Sequence, residues 1–245
     1  MGLVLPFFNI LFLLISHSIS HADGGAGGVN YGLIADNLPS PVQAINLIKS
    51  NNIDRIRIFS PNHDVLNAVQ NTGIQVIIGT FNHDVPKLAN DTNFAINWVE
   101  TNIVPFAESV TFCCISLGNE IIPGNLASSV LAAIGNLNAA LLSFNLGNIP
   151  VSTSVGFALL ASSYPPSSGD FKEIVVRDAS LEYKNMFDAM VDSVYWALEK
   201  VGAGGLDVVV VESGWPSSGK GEYTTPSLAQ IYNQNLVRHA NLGTP

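Results

Sequence analysis

A chain of 245 residues with 47% hydrophobic content can bury a large core as one domain, and its formal charge of −9 supplies no basic surface. Without such a surface it cannot displace the counterions of nucleic acid or hold an anionic membrane, so both are excluded as partners and a neutral one is the better fit. In chain order, Leu3 to Ile15 is a short apolar stretch broken by Pro6 and Asn9, followed by small and polar residues up to Ala22. That make-up fits a cleaved signal peptide better than a membrane span. Residues 1–22 are therefore expected to be a signal peptide and residues 23–245 a single domain, soluble once mature and monomeric. The expected destination is the secreted fraction, extracellular or in a cell wall, with the vacuole as the alternative. Asp23 to Gly28 is rich in glycine but follows no strand, so it fails the test for a phosphate-binding loop and reads as a flexible leader.

Beyond the leader, strands alternate with helical segments. Val29–Gly32, Arg55–Phe59, Ile74–Thr80, Thr111–Gly118, Pro150–Val155 and Val208–Glu212 read as strands. Between them lie helical patterns at Pro41–Ser50, Val65–Thr72, Thr92–Asn102, Leu126–Phe144 and Asn185–Val201. This alternation predicts an α/β fold, a parallel sheet with helices packed outside it. In the last helix Met186, Phe187, Met190, Val191, Val194, Tyr195 and Leu198 share one face, which makes them core residues.

Asn62-His-Asp-Val65 recurs as Asn82-His-Asp-Val85, each copy where a strand hands over to a helix. A metal site built from His63, Asp64, His83 and Asp84 is one reading. The preferred one is that Asn and Asp cap the helices, since neither copy has a metal-ligand spacing. No metal and no cofactor are called for. His239 has no partner in sequence and reads as a surface residue. Cys113 and Cys114 are adjacent within a strand, where neighbouring side chains point to opposite faces, so they read as small buried hydrophobes with no disulfide between them. Asn90-Asp-Thr92 is a sequon, making Asn90 a candidate glycosylation site.

The chemistry gathers at two glutamates. Glu120 closes Phe112-Cys-Cys-Ile-Ser-Leu-Gly-Asn-Glu, and Glu212 closes Asp207-Val-Val-Val-Val-Glu before Ser-Gly-Trp-Pro. Each ends an apolar run of the kind that forms a parallel strand buried on both faces. In an α/β barrel such strand ends carry the catalytic groups, and a facing pair of carboxylates suits glycoside cleavage: one protonates the leaving oxygen while the other, roughly 5 Å away, attacks the anomeric carbon. A partly desolvated Glu120 would have the raised pKa an acid needs, Asn119 could donate to the sugar, and Arg57 would help keep Glu212 ionised.

Six segments give this reading a family. Gly28-Val-Asn-Tyr-Gly32, Asn37-Leu-Pro-Ser-Pro41, Ser116-Leu-Gly-Asn-Glu120, Ser163-Tyr-Pro-Pro-Ser167, Asn185-Met-Phe-Asp-Ala-Met190 and Glu212-Ser-Gly-Trp-Pro-Ser217 resemble the plant endo-β-1,3-glucanases of glycoside hydrolase family 17. The resemblance runs from about Gly28 to the end of the chain. It implies a (β/α)₈ barrel of the TIM type, β-1,3-glucan as partner, Glu120 as proton donor and Glu212 as nucleophile. It also implies that Tyr31, Arg57, Asn119 and Trp215 line the substrate groove.

Departures from the family pattern accompany the matches. Phe59 stands where the family usually has Tyr. A β/α unit needs about thirty residues, yet about twenty-five separate Val155 from Ser180, with no clear strand among them. The sequence also stops at Pro245, before the family's eighth strand. The barrel is therefore expected to be incomplete, lacking the sixth and eighth strand units. The leading expectation is a secreted β-1,3-glucan hydrolase of the retaining type; its rival is a shortened, non-catalytic glucan-binding relative. A different hydrolase on the same fold is disfavoured, because neither a G-x-S-x-G elbow nor an H-E-x-x-H motif occurs.

Overall fold

The computed structural model of the chain describes residues 10–12, 27–156, 176–178, 181–183, 185–219 and 222–240. Nine strands are described: β1 (Ile10–Phe12), β2 (Gly27–Asn30), β3 (Arg55–Ile58), β4 (Gln75–Gly79), β5 (Thr111–Ser116), β6 (Val151–Ser152), β7 (Val176–Asp178), β8 (Leu181–Tyr183) and β9 (Val210–Ser213). The helices are α1 (Pro41–Ser50), α2 (His63–Val69), α3 (Val85–Asn90), α4 (Thr92–Asn102), α5 (Val130–Ser143), α6 (Met186–Lys200) and α7 (Pro226–Ala240).

Local chemistry sets the helix starts. Ser40 and Gln43 form a reciprocal capping box ahead of Pro41, and the apolar spacing of α1 then buries Ala44, Ile45 and Ile48. The Asn62 side chain accepts from the Val65 amide at 3.0 Å and starts α2. Asp91 accepts from the amides of Asn93 and Phe94 and starts α4. Helices α3 and α7 were not foreseen; α3 is only six residues long, too short for a periodic signal.

Strands β2 to β6 are parallel and pair in chain order. Ile56, Ile58, Val76, Ile78, Ile115 and Leu117 are buried on this sheet and pack in one cluster with Ile45, Ile48, Leu66, Leu88, Leu137 and Leu141 of the surrounding helices. Each such side chain contributes about 1.5–3 kcal/mol by leaving water. The main sheet runs β6-β5-β4-β3-β2-β1-β9 and is open, with β6 and β9 at its edges. Among the described residues no further parallel strand pairs with β6, and β7 and β8 pair antiparallel in a sheet of their own. The second half of the chain is correspondingly less covered: Val191 is the buried apolar residue described on α6, while Trp196 and Ile231 stand half-exposed. The core face foreseen for α6 is thus only partly buried.

Three features differ from the sequence expectations. First, Ile10–Phe12, expected outside the fold, lies antiparallel between β2 and β9. An apolar segment there pairs backbone groups that two separated strands would leave open. Second, Gly27 and Gly28 belong to β2 and not to a flexible leader. A Cβ at Gly28 would meet the Cβ and carbonyl oxygen of Arg55 at 2.8 Å, so the close approach of β2 to β3 requires glycine. Third, β5 carries a bulge: Val76 pairs with Phe112 and Ile77 with Cys114, leaving Cys113 as the extra residue. The bulge breaks the alternation of faces, and Cys113 and Cys114 both pack, half-buried, with Ile77, Val209 and Val211.

Burial pushes the Cys113 thiol up to about 11, with Arg55 pulling it down and Asp54 raising it slightly. It pushes Cys114 up to about 12, helped by Cys113 and opposed by Arg57. Both folded values lie above the ordinary 9.0, so the folded chain holds these protons more tightly than the unfolded one. Their stabilisation is fully present below pH 9 and is lost as pH rises through about 11 and 12. The melting temperature should therefore fall more steeply above pH 9 in the native chain than in a Cys113→Ala/Cys114→Ala variant; parallel slopes would contradict this.

Candidate active site

The site is built around Arg57, which β3 projects inward and which is fully buried. Its Nη1 donates to Glu212 Oε1 of β9 at 2.9 Å, and Nη2 donates to Asn119 Oδ1 at 2.7 Å and to Ser154 Oγ at 3.4 Å. The guanidinium carbon sits 4.5 Å from the centre of the Phe59 ring, a cation–π contact. Phe59, which stands where the family usually has Tyr, keeps the aromatic face that this contact uses. Burial pulls the Arg57 pKa below its usual range. Opposing it are the hydrogen bond and charge of Glu212, then the charges of Cys114 and Glu120. One buried cation therefore feels both glutamates.

Glu120 stands on a sharply folded segment just past β5. Gly118 has φ +62° and Glu120 has φ +49°, so a non-glycine residue occupies the left-handed region. Side chains from the neighbouring strand ends hold this turn. Thr80 Oγ1 accepts from the Gly118 amide at 2.9 Å, and Asn82 Oδ1 accepts from the Asn119 amide at 2.7 Å. Asn82 Nδ2 donates back to the Asn119 carbonyl at 3.3 Å, and Ser154 Oγ accepts from the Glu120 amide at 3.3 Å. The Glu120 side chain lies beside Gly156, where an added Cβ would come within 3.8 Å of its carboxyl carbon. Glu120 is exposed, not partly desolvated as expected, while the Glu212 side chain is 32% exposed.

Four of the foreseen site residues, Arg57, Asn119, Glu120 and Glu212, thus meet. Two do not join them. Tyr31 is buried in the core, burial raises its pKa, and its hydroxyl has no hydrogen-bond partner among the described residues. Trp215 donates from Nε1 to the Tyr223 carbonyl at 2.7 Å and tilts against Tyr232, with ring centres 5.6 Å apart. With Phe187, Leu228, Ile231 and Tyr232 it lines a cavity of about 570 Å³ beside α7.

Other foreseen positions take different roles. Asn90 is exposed at the end of α3, its amide donating to the Pro86 carbonyl. His63 meets Asn102 Oδ1 at 3.1 Å, and His83 stacks on Phe81 near Asp84. His239 is not an unpartnered surface residue: its Nε2 lies 2.6 Å from Oδ1 of the buried Asp188, a contact that needed the unforeseen α7. The cap reading fits Asn62 but not Asn82, whose side chain grips Asn119. Asn82, Thr80 and Ser154 went unread as site residues. The repeated Asn-His-Asp-Val was a signal for Asn82, since one copy could cap while the other clamped.

Parallel strands whose ends gather two carboxylates about one buried arginine define a glycoside hydrolase of the β/α type. Residues 28–179 and 174–245 match the profile of Glycosyl hydrolases family 17, and the chain belongs to that family. It is 37% identical to a glucan endo-1,3-beta-glucosidase of Vitis vinifera over 271 aligned residues, covering 89% of this chain and 78% of the grape protein. A solved structure from a study of two plant beta-glucan endohydrolases with distinct substrate specificities superposes with a TM-score of 0.81 at 34% identity, covering 89% of this chain and 86% of that one. The structure of CJP38, a beta-1,3-glucanase and allergen of Cryptomeria japonica pollen, gives 0.80 at 36% identity, covering 89% and 84%. The fold is thus an incomplete TIM-type barrel, and the two family matches meet at residues 174–179, beside the shortened region.

Arg57→Met would strip Glu212 and Asn119 of their shared donor. A loss of about 2 kcal/mol or more in unfolding free energy is expected, below the full cost of breaking a buried pair because Glu212 is partly solvated. Arg57→Lys should restore little, since one ammonium cannot reproduce the planar fork. Denaturant midpoints check both variants, and a stable Arg57→Met chain would contradict this account.

Proposed function

We propose that the chain is an endo-acting hydrolase of β-1,3-glucan that works with retention, Glu212 as nucleophile and Glu120 as proton donor. The observation that carries the reading is the Arg57 fork, bound at once to Glu212 and to the residue preceding Glu120. The fork holds the Glu212 carboxylate by one oxygen, in place for attack on an anomeric carbon. Asn119 spends its carbonyl oxygen on Arg57 and Ser154, which leaves its amide hydrogens to donate to a sugar hydroxyl. Glu120, exposed at its turn, is placed to give a proton to the leaving oxygen of a bound glucan chain. In the second step Glu120 takes a proton from water as it attacks the glycosyl-enzyme.

The activity of the grape relative and of CJP38 supports β-1,3-glucan as the substrate class. The open sheet and Trp215's place beside α7 favour a second reading, a relative that binds glucan without cleaving it. Laminarin turnover separates the two, since binding without turnover would favour the second. In the active form, Glu212→Gln should abolish attack on every substrate, whereas Glu120→Gln should spare glycosides with activated leaving groups, which need little protonation. Proton NMR should show the β-anomer released first. Initial release of the α-anomer would overturn retention.

The leader composition supports secretion with glycan at Asn90, and among the described residues no helix is long and apolar enough to cross a membrane. Mass analysis of the purified protein should place its N-terminus between Ser20 and Gly28. Cleavage there would remove Ile10–Phe12 from between β2 and β9. A product retaining Met1 would contradict the secretory route.

A further inference from the structure

We propose that Ser154 is a positioning residue that ties the backbone of Glu120 to the Arg57–Glu212 pair, so that acid and nucleophile are held in one frame. Ser154 lies two residues past β6 and is buried, at 6% exposure. Its hydroxyl has one proton and two lone pairs, and all three find partners. The proton goes to Asn119 Oδ1 at 3.2 Å, and the oxygen accepts from the Glu120 amide at 3.3 Å and from Arg57 Nη2 at 3.4 Å. These bonds join the ends of β3, β5 and β6, and Arg57 extends the set to β9.

Glu120 needs such a tie. Its φ of +49° is disfavoured for a side chain with a Cβ and persists only where surrounding contacts over-determine it. Thr80 and Asn82 fix the two residues before it, but among the described contacts Ser154 is the one that reaches the Glu120 amide itself. Ser154 touches neither carboxylate, so it acts through backbone and guanidinium. Its loss would let the turn relax and swing the acid away from the leaving oxygen. Glu212 would still keep its direct bond to Arg57.

This inference rests on the two-carboxylate reading, and its test uses the full chain with two substrates. One is laminarin, whose leaving group needs protonation; the other is a dinitrophenyl β-laminaribioside, whose leaving group does not. Ser154→Ala should lower kcat/KM on laminarin by about tenfold to a hundredfold, the cost of misplacing a catalytic group by about 1 Å, while changing the activated substrate less than about threefold. Ser154→Thr, which keeps the hydroxyl, should recover most of the loss. Amide exchange at Glu120 should be faster in Ser154→Ala than in the native chain, a readout that does not depend on turnover. Equal losses on both substrates, or unchanged kinetics with unchanged exchange, would overturn the proposal while leaving the hydrolase reading standing. A folded native chain inert on both substrates would overturn the hydrolase reading and this inference with it.

Discussion

Burying one guanidinium is the constraint on which the site depends. Arg57 is fully buried, and such a charge is costly unless it is paired; its two Nη atoms find acceptors, while Nε has none among the described residues. Glu212 meets one end of the fork, Asn119 and Ser154 meet the other, and the Phe59 ring covers a face. The acceptors come from different strand ends, so binding the two Nη atoms also fixes where those ends stand relative to one another. A residue with no exposed surface thereby sets the spacing of the groups around it.

The two halves of the fold serve this centre unequally. From β2 to α5 the strands pair in order and the helices bury nearly every apolar position that faces them, which gives Arg57, Thr80, Asn82 and Asn119 a rigid base. From β7 onward the hairpin stands apart and α6 and α7 keep apolar side chains partly in water. Glu212 comes from this looser half. Its carboxylate is held by Arg57 of the better-packed half. The Asn30 amide, bonded to the Val211 carbonyl, supplies a second fastening near the same strand.

Much of this was legible in residue order and some of it was not. Pro41–Ser50 and Thr92–Asn102 were readable to the residue, because a capping box or an aspartate cap marks the start and apolar spacing carries the rest. Glu120 and Glu212 were readable because each closes an apolar run that forms a strand, although β9 is only partly buried. The bulge at Cys113 left no mark in composition, since alternation is a local rule and the extra residue is set by pairing with β4. Tyr31 was named by its motif, while its burial in the core is set by packing that the motif does not record. Ser154 was hidden because a serine near a strand end is common, and its meaning appears only when β3, β5 and β6 converge. His239 looked solitary for the same reason, its partner lying on another helix.

The left-handed backbone at Glu120 carries a consequence for how this chain would drift. Glycine occupies that region freely and asparagine visits it at low cost, whereas glutamate is strained there. Catalysis and robustness therefore pull residue 120 in opposite directions. A lineage released from the need to cleave anything could gain stability by exchanging this one glutamate for glycine or asparagine. The strained glutamate is thus a standing cost of the role proposed for it.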